Sequence, residues 1–429
     1  MKKVVVLTHY FSPCTLTPSQ RITYWAKNLN RIGYYPIVVT RHWDSNIRSH
    51  KMTKLPFGIK IHVEKYDTYE VHYLPFKPGL LDWSYLKFGE NMLRPLFLFS
   101  KVIDVLLLPF TLRHTSYWNY HKFLFSFFSR NGDVDKLIIS GEPFYLFKIG
   151  YLISKKYGIK WLADYRDDWS TSAVEEGKGS GFFRKLIFKF ESVFEKKWVG
   201  TAKAISSVSE LYTNRISDLT KIQGVTIENG FEERLLDLKT LPLFSEFTII
   251  YSGTLYPSQD LSILLDLLTK LQQMHILFKL IFLGTGFDSK ERNRINSLVP
   301  DLLKPYVQVT DRLPRDEALI MLQKAHVLLG IAHTGLAGIP SSKLYEYLAL
   351  GKPILLCPSD GDVMESMVTE AGLGFIANNP NEGVLQINRI KSMYKTPELV
   401  EEMKLKSQEK IGKFSRFEQM KKLLPVLAD

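Results

Sequence analysis

Short apolar runs alternate with helix-patterned segments along almost the whole of this 429-residue chain. Parallel strands need long crossovers, and helices supply them. Sustained alternation therefore predicts parallel sheets covered by helices. The pattern lapses once, over residues 229–243, where the chain turns polar and carries Pro242. The chain thus reads as α/β, with two nucleotide-fold-like halves joined near residue 240.

In the first half the runs 4–8, 35–40, 137–140, 161–164, 204–209 and 225–228 read as strands. A loop through Thr17-Pro18-Ser19-Gln20-Arg21 leads into a helix over 22–32, which Gly33 ends. In the second half, strands are expected at 247–252, 278–283, 307–309, 327–331 and 353–357. Helices are expected at 260–274, 316–324, 341–350 and 362–371, and the chain closes with helical residues from 397 to 428. Open parallel sheets bind ligands beyond the carboxyl ends of their strands. Two facing sheets would put a substrate in the cleft between them.

The segment Gly338-Ile339-Pro340-Ser341-Ser342-Lys343-Leu344-Tyr345-Glu346 carries the most chemistry. A Pro and two Ser ahead of an apolar run mark a helix start, and Gly351 marks its end. Free N–H groups at such a start suit a diphosphate. Lys343 adds a cation. Glu346, three residues on and on the same face, can accept two hydrogen bonds from a ribose diol. A capped helix with a surface Lys–Glu pair is the competing reading of this segment alone.

Three turns strengthen the ligand reading. Ser252-Gly253-Thr254 and Leu283-Gly284-Thr285-Gly286 follow predicted strands, and Asp311-Arg312-Leu313-Pro314 follows a third. Glycine at a strand's carboxyl end lets a ligand approach the backbone. In the first half, Asp164-Tyr165-Arg166-Asp167-Asp168-Trp169 lies at a predicted strand end. Arg166 and Asp167 there can orient an acceptor hydroxyl or a leaving diphosphate; a strand-end salt-bridge cluster is the alternative. His9 ends the first strand and reads as structural. The ten His are scattered, no paired-Cys pattern stands out, and no metal or other cofactor is expected.

Charge is uneven. Residues 1–200 carry 30 Lys and Arg against 17 Asp and Glu, whereas the remainder is close to neutral. A basic half suggests an anionic partner, whether nucleic acid, anionic lipid or a phosphorylated substrate. Nucleic acid is the weakest of these, since no recognised motif accompanies the charge. The apolar stretch 93–112 is interrupted by Arg94, Pro95, Lys101, Asp104 and Pro109, so no membrane span is expected. Trp83, Tyr85, Phe88, Trp118 and Tyr120 lie among Lys and Arg, and 182–199 reads as a basic amphipathic helix. Both suggest contact with an anionic membrane surface; an aromatic-rich helical layer is the competing reading. The two cysteines, Cys14 and Cys357, imply no disulfide framework, and the short apolar run at the amino terminus reads as a strand rather than a signal peptide. The expected location is the cytoplasm, with peripheral contact on the inner face of the plasma membrane.

Together these features resemble the retaining nucleotide-sugar glycosyltransferases of family 4. The resemblance runs through the opening strand and loop, Asn229-Gly230-Phe231, Ser252-Gly253-Thr254-Leu255, Leu283-Gly284-Thr285-Gly286 and the block from Pro340 to Pro353. It is nearest a bacterial surface-polysaccharide subgroup that carries the Asp164–Trp169 segment. It implies the GT-B fold, two facing Rossmann-like domains with a cleft between them. The expected bounds are 1–240 on the acceptor side, 241–408 on the nucleotide-sugar side, and 409–429 as a helix returning to the first domain. It also implies a donor site in which Glu346 holds the ribose and Pro340, Ser341, Ser342 and Lys343 lie near the diphosphate. Gly253 and Thr254 lie across from it, Gly284 is a further donor-binding residue, and Arg312 and Leu313 lie beside the base.

The sequence departs from the family pattern in three places. Gly338 stands where a first glutamate is usual, Thr254 and Gln259 or Asp260 replace the usual diphosphate-clamp cations, and Ser140-Gly141-Glu142-Pro143 replaces a histidine segment. Lys343 and Arg21, with Ser19 beside it, are the expected substitutes at the diphosphate or acceptor. The implied activity is transfer of a sugar from a nucleotide sugar to a glycan acceptor, lipid-linked and bound for the cell surface. A nucleotide-sugar epimerase or hydrolase is the alternative.

Overall fold

A computed structural model describes the chain except for residues 46, 48–49, 89–101, 104–105, 108, 114, 172–181, 288, 337 and 429. Most of the 93–112 stretch therefore lies outside the described residues. Among the described residues no helix is long and apolar enough to cross a membrane.

The chain divides into two compact units, residues 1–228 with 420–429, and residues 229–419. The first unit holds an eight-stranded sheet in the order β3-β4-β2-β1-β5-β6-β7-β8. Its strands are β1 (Lys2–Leu7), β2 (Tyr34–Arg41), β3 (His62–Lys65), β4 (Glu70–Leu74), β5 (Lys136–Ser140), β6 (Lys160–Asp164), β7 (Ala204–Ser207) and β8 (Gly224–Thr226). All neighbours pair parallel except β3 with β4, which form an antiparallel hairpin at one edge. Val4, Val5, Val6 and Leu7 are all fully buried, as expected of a central strand covered on both faces.

The second unit holds a six-stranded parallel sheet in the order β11-β10-β9-β12-β13-β14. These are β9 (Thr248–Ser252), β10 (Lys279–Leu283), β11 (Val307–Val309), β12 (Val327–Gly330), β13 (Ile354–Leu356) and β14 (Gly374–Ile376). Two cores flank this sheet. Ile250 points into one, with Leu344, Tyr347 and Leu348; Ile249 and Tyr251 point into the other, with Leu264 and Leu268. This alternation is the period-two side-chain geometry of a strand.

The structure departs from the sequence reading at the first loop. A helix already begins at Thr17 and runs to Asn28, with Pro18 in its first turn. Proline is well placed there, because its missing N–H has no intrahelical partner in any case. Ser19 and Arg21 consequently sit on a helix, and both are buried. The hairpin β3–β4, the helix Ser289–Leu298, β14 and the helix Pro380–Met393 are further elements. At the carboxyl end, the Leu427 carbonyl accepts a 2.8 Å bond from the Tyr34 hydroxyl within the first unit.

Candidate active site

In the second unit, the carboxyl ends of β9, β10 and β11 carry the three predicted turns. Gly253 has φ of +86°, a left-handed conformation that favours glycine. A Cβ there would also come within 3.0 Å of Lys343 Cε, so the lysine would have to shift to admit one. Gly284 has φ of +77°, and its N–H donates to Thr310 Oγ1 at 2.9 Å. Thr285 Oγ1 donates to the Gly253 carbonyl at 2.8 Å and ties the first turn to the second.

The helix Ser342–Leu350 starts beside them. Ser341 is its N-cap residue, but the side chain makes no capping hydrogen bond. The first-turn N–H groups are therefore left without a side-chain cap, the condition in which a helix start can take an anion. Lys343 Nζ donates to Tyr251 Oη at 2.6 Å and to the Thr254 carbonyl at 2.7 Å, and lies 4.3 Å from the centre of the Tyr251 ring. Its partners are neutral, and burial brings its ammonium down to about 7. Tyr251, itself buried, is held by a second bond to Gln259 Oε1 at 3.1 Å. A cation among neutral partners, next to an uncapped helix start, is suited to a diphosphate.

Glu346 does not stand open. Arg315 Nη1 donates to Glu346 Oε1 at 2.8 Å, and Arg315 Nη2 lies 4.0 Å from Glu232. Glu232 in turn accepts from Arg416 Nη1 at 2.7 Å. Sequence reasoning missed Arg315. The available signal was a cation in the first turn of the helix Arg315–Lys324, where the helix dipole disfavours it unless an acid is close. Arg312 is exposed, 5.7 Å from the Phe287 ring centre, whereas Leu313 packs partly against the core. Pro340 and Ser341 are half-buried and Ser342 is exposed. Gly338 donates its N–H to Asp362 Oδ2 at 2.7 Å.

In the first unit, Arg166 and Asp167 follow β6 as expected and pair with each other. Arg166 Nη2 also reaches Glu142 Oε2 at 2.6 Å, and Glu142 follows β5 with φ of +65°. Burial pushes the Glu142 carboxyl up to about 7, against the pull of Arg166. Asp167 is half exposed, so its carboxylate is open to a ligand. Asp168 is the opposite case. Its side chain is buried, neither carboxylate oxygen has a hydrogen-bond partner among the described residues, and Arg215 Nη1 stands 3.9 Å away. Burial pushes the Asp168 carboxyl up to about 7. His9 is buried among Tyr10, Trp43, Phe76 and Tyr120, and burial takes its imidazole well below the usual value.

Two expected ligand contacts are instead turned inward. Arg21 Nη2 binds Asp164 Oδ1 at 2.9 Å, both side chains being buried, and Nη1 donates to the Ile227 and Glu228 carbonyls. Ser206 Oγ and Ser140 Oγ complete the Asp164 carboxylate at 2.8 and 3.2 Å. Ser19 Oγ donates to the Cys14 and Leu16 carbonyls. These bonds tie the helix Thr17–Asn28 to the sheet and leave neither side chain available to a diphosphate. Among the described residues no group of three or more His, Cys, Asp or Glu is placed to hold a metal ion.

Residues 241–410 match the family model of the Glycosyl transferases group 1. No curated protein sequence matches the chain. The fold is similar to sucrose-phosphate synthase from Thermosynechococcus elongatus, at 13% identity and TM-score 0.63, covering 99% of this chain and 98% of that one. It is similar also to a glycosyltransferase from Rickettsia africae ESF-5, at 14% identity and TM-score 0.62, covering 99% and 97%. A third similar structure, described as trehalose-6-phosphate from E. coli bound with UDP-2-fluoro glucose, gives 11% identity and TM-score 0.62, covering 99% and 98%. The two parallel-sheet α/β units and the matched region make this chain an enzyme of the glycosyltransferase class with a GT-B fold.

Proposed function

We propose that the chain transfers a sugar from a nucleotide sugar to a glycan acceptor, with retention at the anomeric carbon, in the building of a bacterial surface polysaccharide. The donor binds the second unit. The observation that carries this reading is the pairing of an uncapped helix start at Ser341 with Lys343, whose ammonium has only neutral partners beside the Gly253 turn. A nucleotide sugar presents a diphosphate to such a site, and Glu346 lies one turn further along for the ribose. Gly284, Arg312 and Leu313 border the base. That a structure of similar fold is described with a UDP-sugar bound supports the same choice of donor.

The bond between the anomeric carbon and the diphosphate oxygen breaks, the acceptor hydroxyl oxygen bonds that carbon in its place, and the hydroxyl proton passes to the leaving diphosphate. Negative charge develops on the leaving diphosphate. Lys343 and the N–H groups of Ser342 and Lys343 would stabilise it, which is where preorganised donors lower a barrier most. Asp167, held by Arg166, would orient the acceptor hydroxyl. This division of labour needs no metal ion. The basic excess of residues 1–200 suits a lipid-linked acceptor at an anionic membrane surface.

A thermal-shift screen against UDP-, GDP-, ADP- and dTDP-sugars tests the donor reading, because a ligand bound to the native state raises the melting temperature by mass action. One nucleotide series should stabilise the chain; no shift with any of them would count against the reading. With the stabilising donor in hand, transfer to an added glycan separates a transferase from a hydrolase, which releases free sugar, or an epimerase, which converts the donor.

A further inference from the structure

In the first sheet the winding reverses between β1 and β5. Strand order there runs β2-β1-β5-β6, and β1 pairs parallel with both β2 and β5. The chain leaves β1 toward β2 on one side, whereas β5 leads on to β6 on the other. Right-handed crossovers then carry the two following loops to opposite faces, and an open parallel sheet takes its ligand at such a point.

Four side chains meet at these strand ends. Tyr10 follows β1, Glu142 follows β5, and Arg166 and Asp167 follow β6. Arg166 Nη2 binds Glu142 Oε2 at 2.6 Å and pairs with Asp167 Oδ2. The Glu142 side chain is 34% exposed, and both Glu142 Oε1 and Asp167 Oδ1 are without a protein partner among the described residues. Tyr10 is half-buried and stacks on Trp43, with ring centres 5.2 Å apart, and its hydroxyl has no hydrogen-bond partner among the described residues. Burial pushes that hydroxyl up to about 12, with Glu142 raising it and Arg166 lowering it, so it keeps its proton and lies within reach of both charges. Glu142 also holds a left-handed backbone, φ +65°, against the preference of a residue with a Cβ. Such conformations persist where the surrounding structure imposes them, often at ligand sites.

The free groups are thus one hydroxyl and two carboxylate oxygens, and the one cation among them is already shared by the two acids. Sugar hydroxyls, which donate, suit these oxygens, whereas a phosphate or carboxylate would meet like charge. We propose that Tyr10, Glu142 and Asp167 seat an uncharged sugar ring of the acceptor, with ring hydroxyls donating to the two carboxylates and bonded to the Tyr10 hydroxyl. This rests on the reading of Asp167 as an acceptor residue and adds Tyr10 and Glu142 to it as binding groups. The phosphate of a lipid-linked acceptor lies outside this seat.

Saturation-transfer NMR titrations of the full chain test the seat. The probes are the methyl pyranosides of glucose, galactose, mannose and glucuronic acid, with UDP, GDP, ADP and dTDP present together to fill the nucleotide site. At least one neutral glycoside should bind, and more tightly than the glucuronide. Tyr10→Phe removes a hydroxyl that no protein group uses and keeps the ring on Trp43. It should weaken the neutral glycoside by about fivefold, the loss of one hydrogen bond, with melting unchanged. Glu142→Asn tolerates the left-handed backbone and withdraws the carboxylate, and should weaken binding at least as much. No binding of any neutral glycoside, tighter binding of the glucuronide, or equal binding by wild type and Tyr10→Phe would each overturn the seat. Melting shifts with nucleotide sugars should be the same in both variants as in the wild type, so a failed seat with those shifts intact leaves the donor reading standing.

Discussion

Arg315, the first residue of its helix, is bound at 2.8 Å to Glu346, midway along the helix Ser342–Leu350, so the carboxylate assigned to the ribose is already held in place by a cation. One Glu346 oxygen accepts from Arg315, and the other has no protein donor among the described residues. A carboxylate has about four acceptor sites, so the guanidinium can orient it without using it up.

Glu346→Ala should therefore weaken nucleotide-sugar binding by about 1.5–3 kcal/mol, the usual range for hydrogen bonds to a charged group. Arg315→Gln should weaken it less, because the carboxylate survives and only its orientation is lost. Calorimetric titration of both variants checks the order; equal losses, or none in Glu346→Ala, would detach Glu346 from the donor.

Asp167→Asn separates chemistry from binding. Asp167 lies in the first unit and the donor is assigned to the second. Turnover should fall strongly while nucleotide affinity stays within about twofold, as for an interaction made mainly in the transition state. If the Arg166–Asp167 contact were only a structural pair, the variant would melt lower and keep its turnover. Measuring melting, affinity and turnover on one preparation tells these apart.

Asp168 gives a pH dependence. Its carboxyl sits at about 7 in the folded chain, above the ordinary value of 3.8. Between those values the folded state holds a proton that the unfolded state has released. Stability from this group thus falls as pH rises from about 4 to about 7 and is flat beyond. Asp168→Asn mimics the protonated form and should be the more stable protein at pH 8, by on the order of 1–3 kcal/mol, the cost of an unsatisfied buried group. The gap should close toward pH 4 in urea melts. A variant less stable than wild type at pH 8 would show that Arg215 and Asp168 form a favourable pair despite their separation.

The parts that sequence displays are those with strong local signals. β1, β5, β9 and β10 are short apolar runs bounded by turns, and the helix Ser342–Leu350 has a Pro-Ser-Ser start and a Gly351 end. β3 was not legible, since His62-Val63-Glu64-Lys65 is short and mostly polar, and its partner was hidden with it. The helix Ser289–Leu298 buries little beyond Glu291 and Ile295, so it has almost no apolar stripe. In the site, the donor-side turns were readable, but the partners of each charge were not. Arg21 looked available in a loop because the helix was expected to start after it, and its partner Asp164 comes from a distant strand. Glu142, Arg315 and Asp168 acquire meaning only through tertiary neighbours.

Lys343 and the helix start beside it are assigned to hold the donor diphosphate. Without ligand the Lys343 ammonium sits at about 7, so near pH 8 it is mostly neutral. An adjacent diphosphate favours the charged form. The diphosphate of a nucleotide sugar does not titrate near pH 8, so binding there should draw roughly one proton from the buffer. Calorimetric titration with the stabilising nucleotide sugar at pH 8, in two buffers of different ionisation enthalpy, measures that proton directly. The wild type should take up about one proton, and Lys343→Met should lose both the uptake and most of the affinity. Equal affinity and equal proton uptake in the two proteins would contradict it.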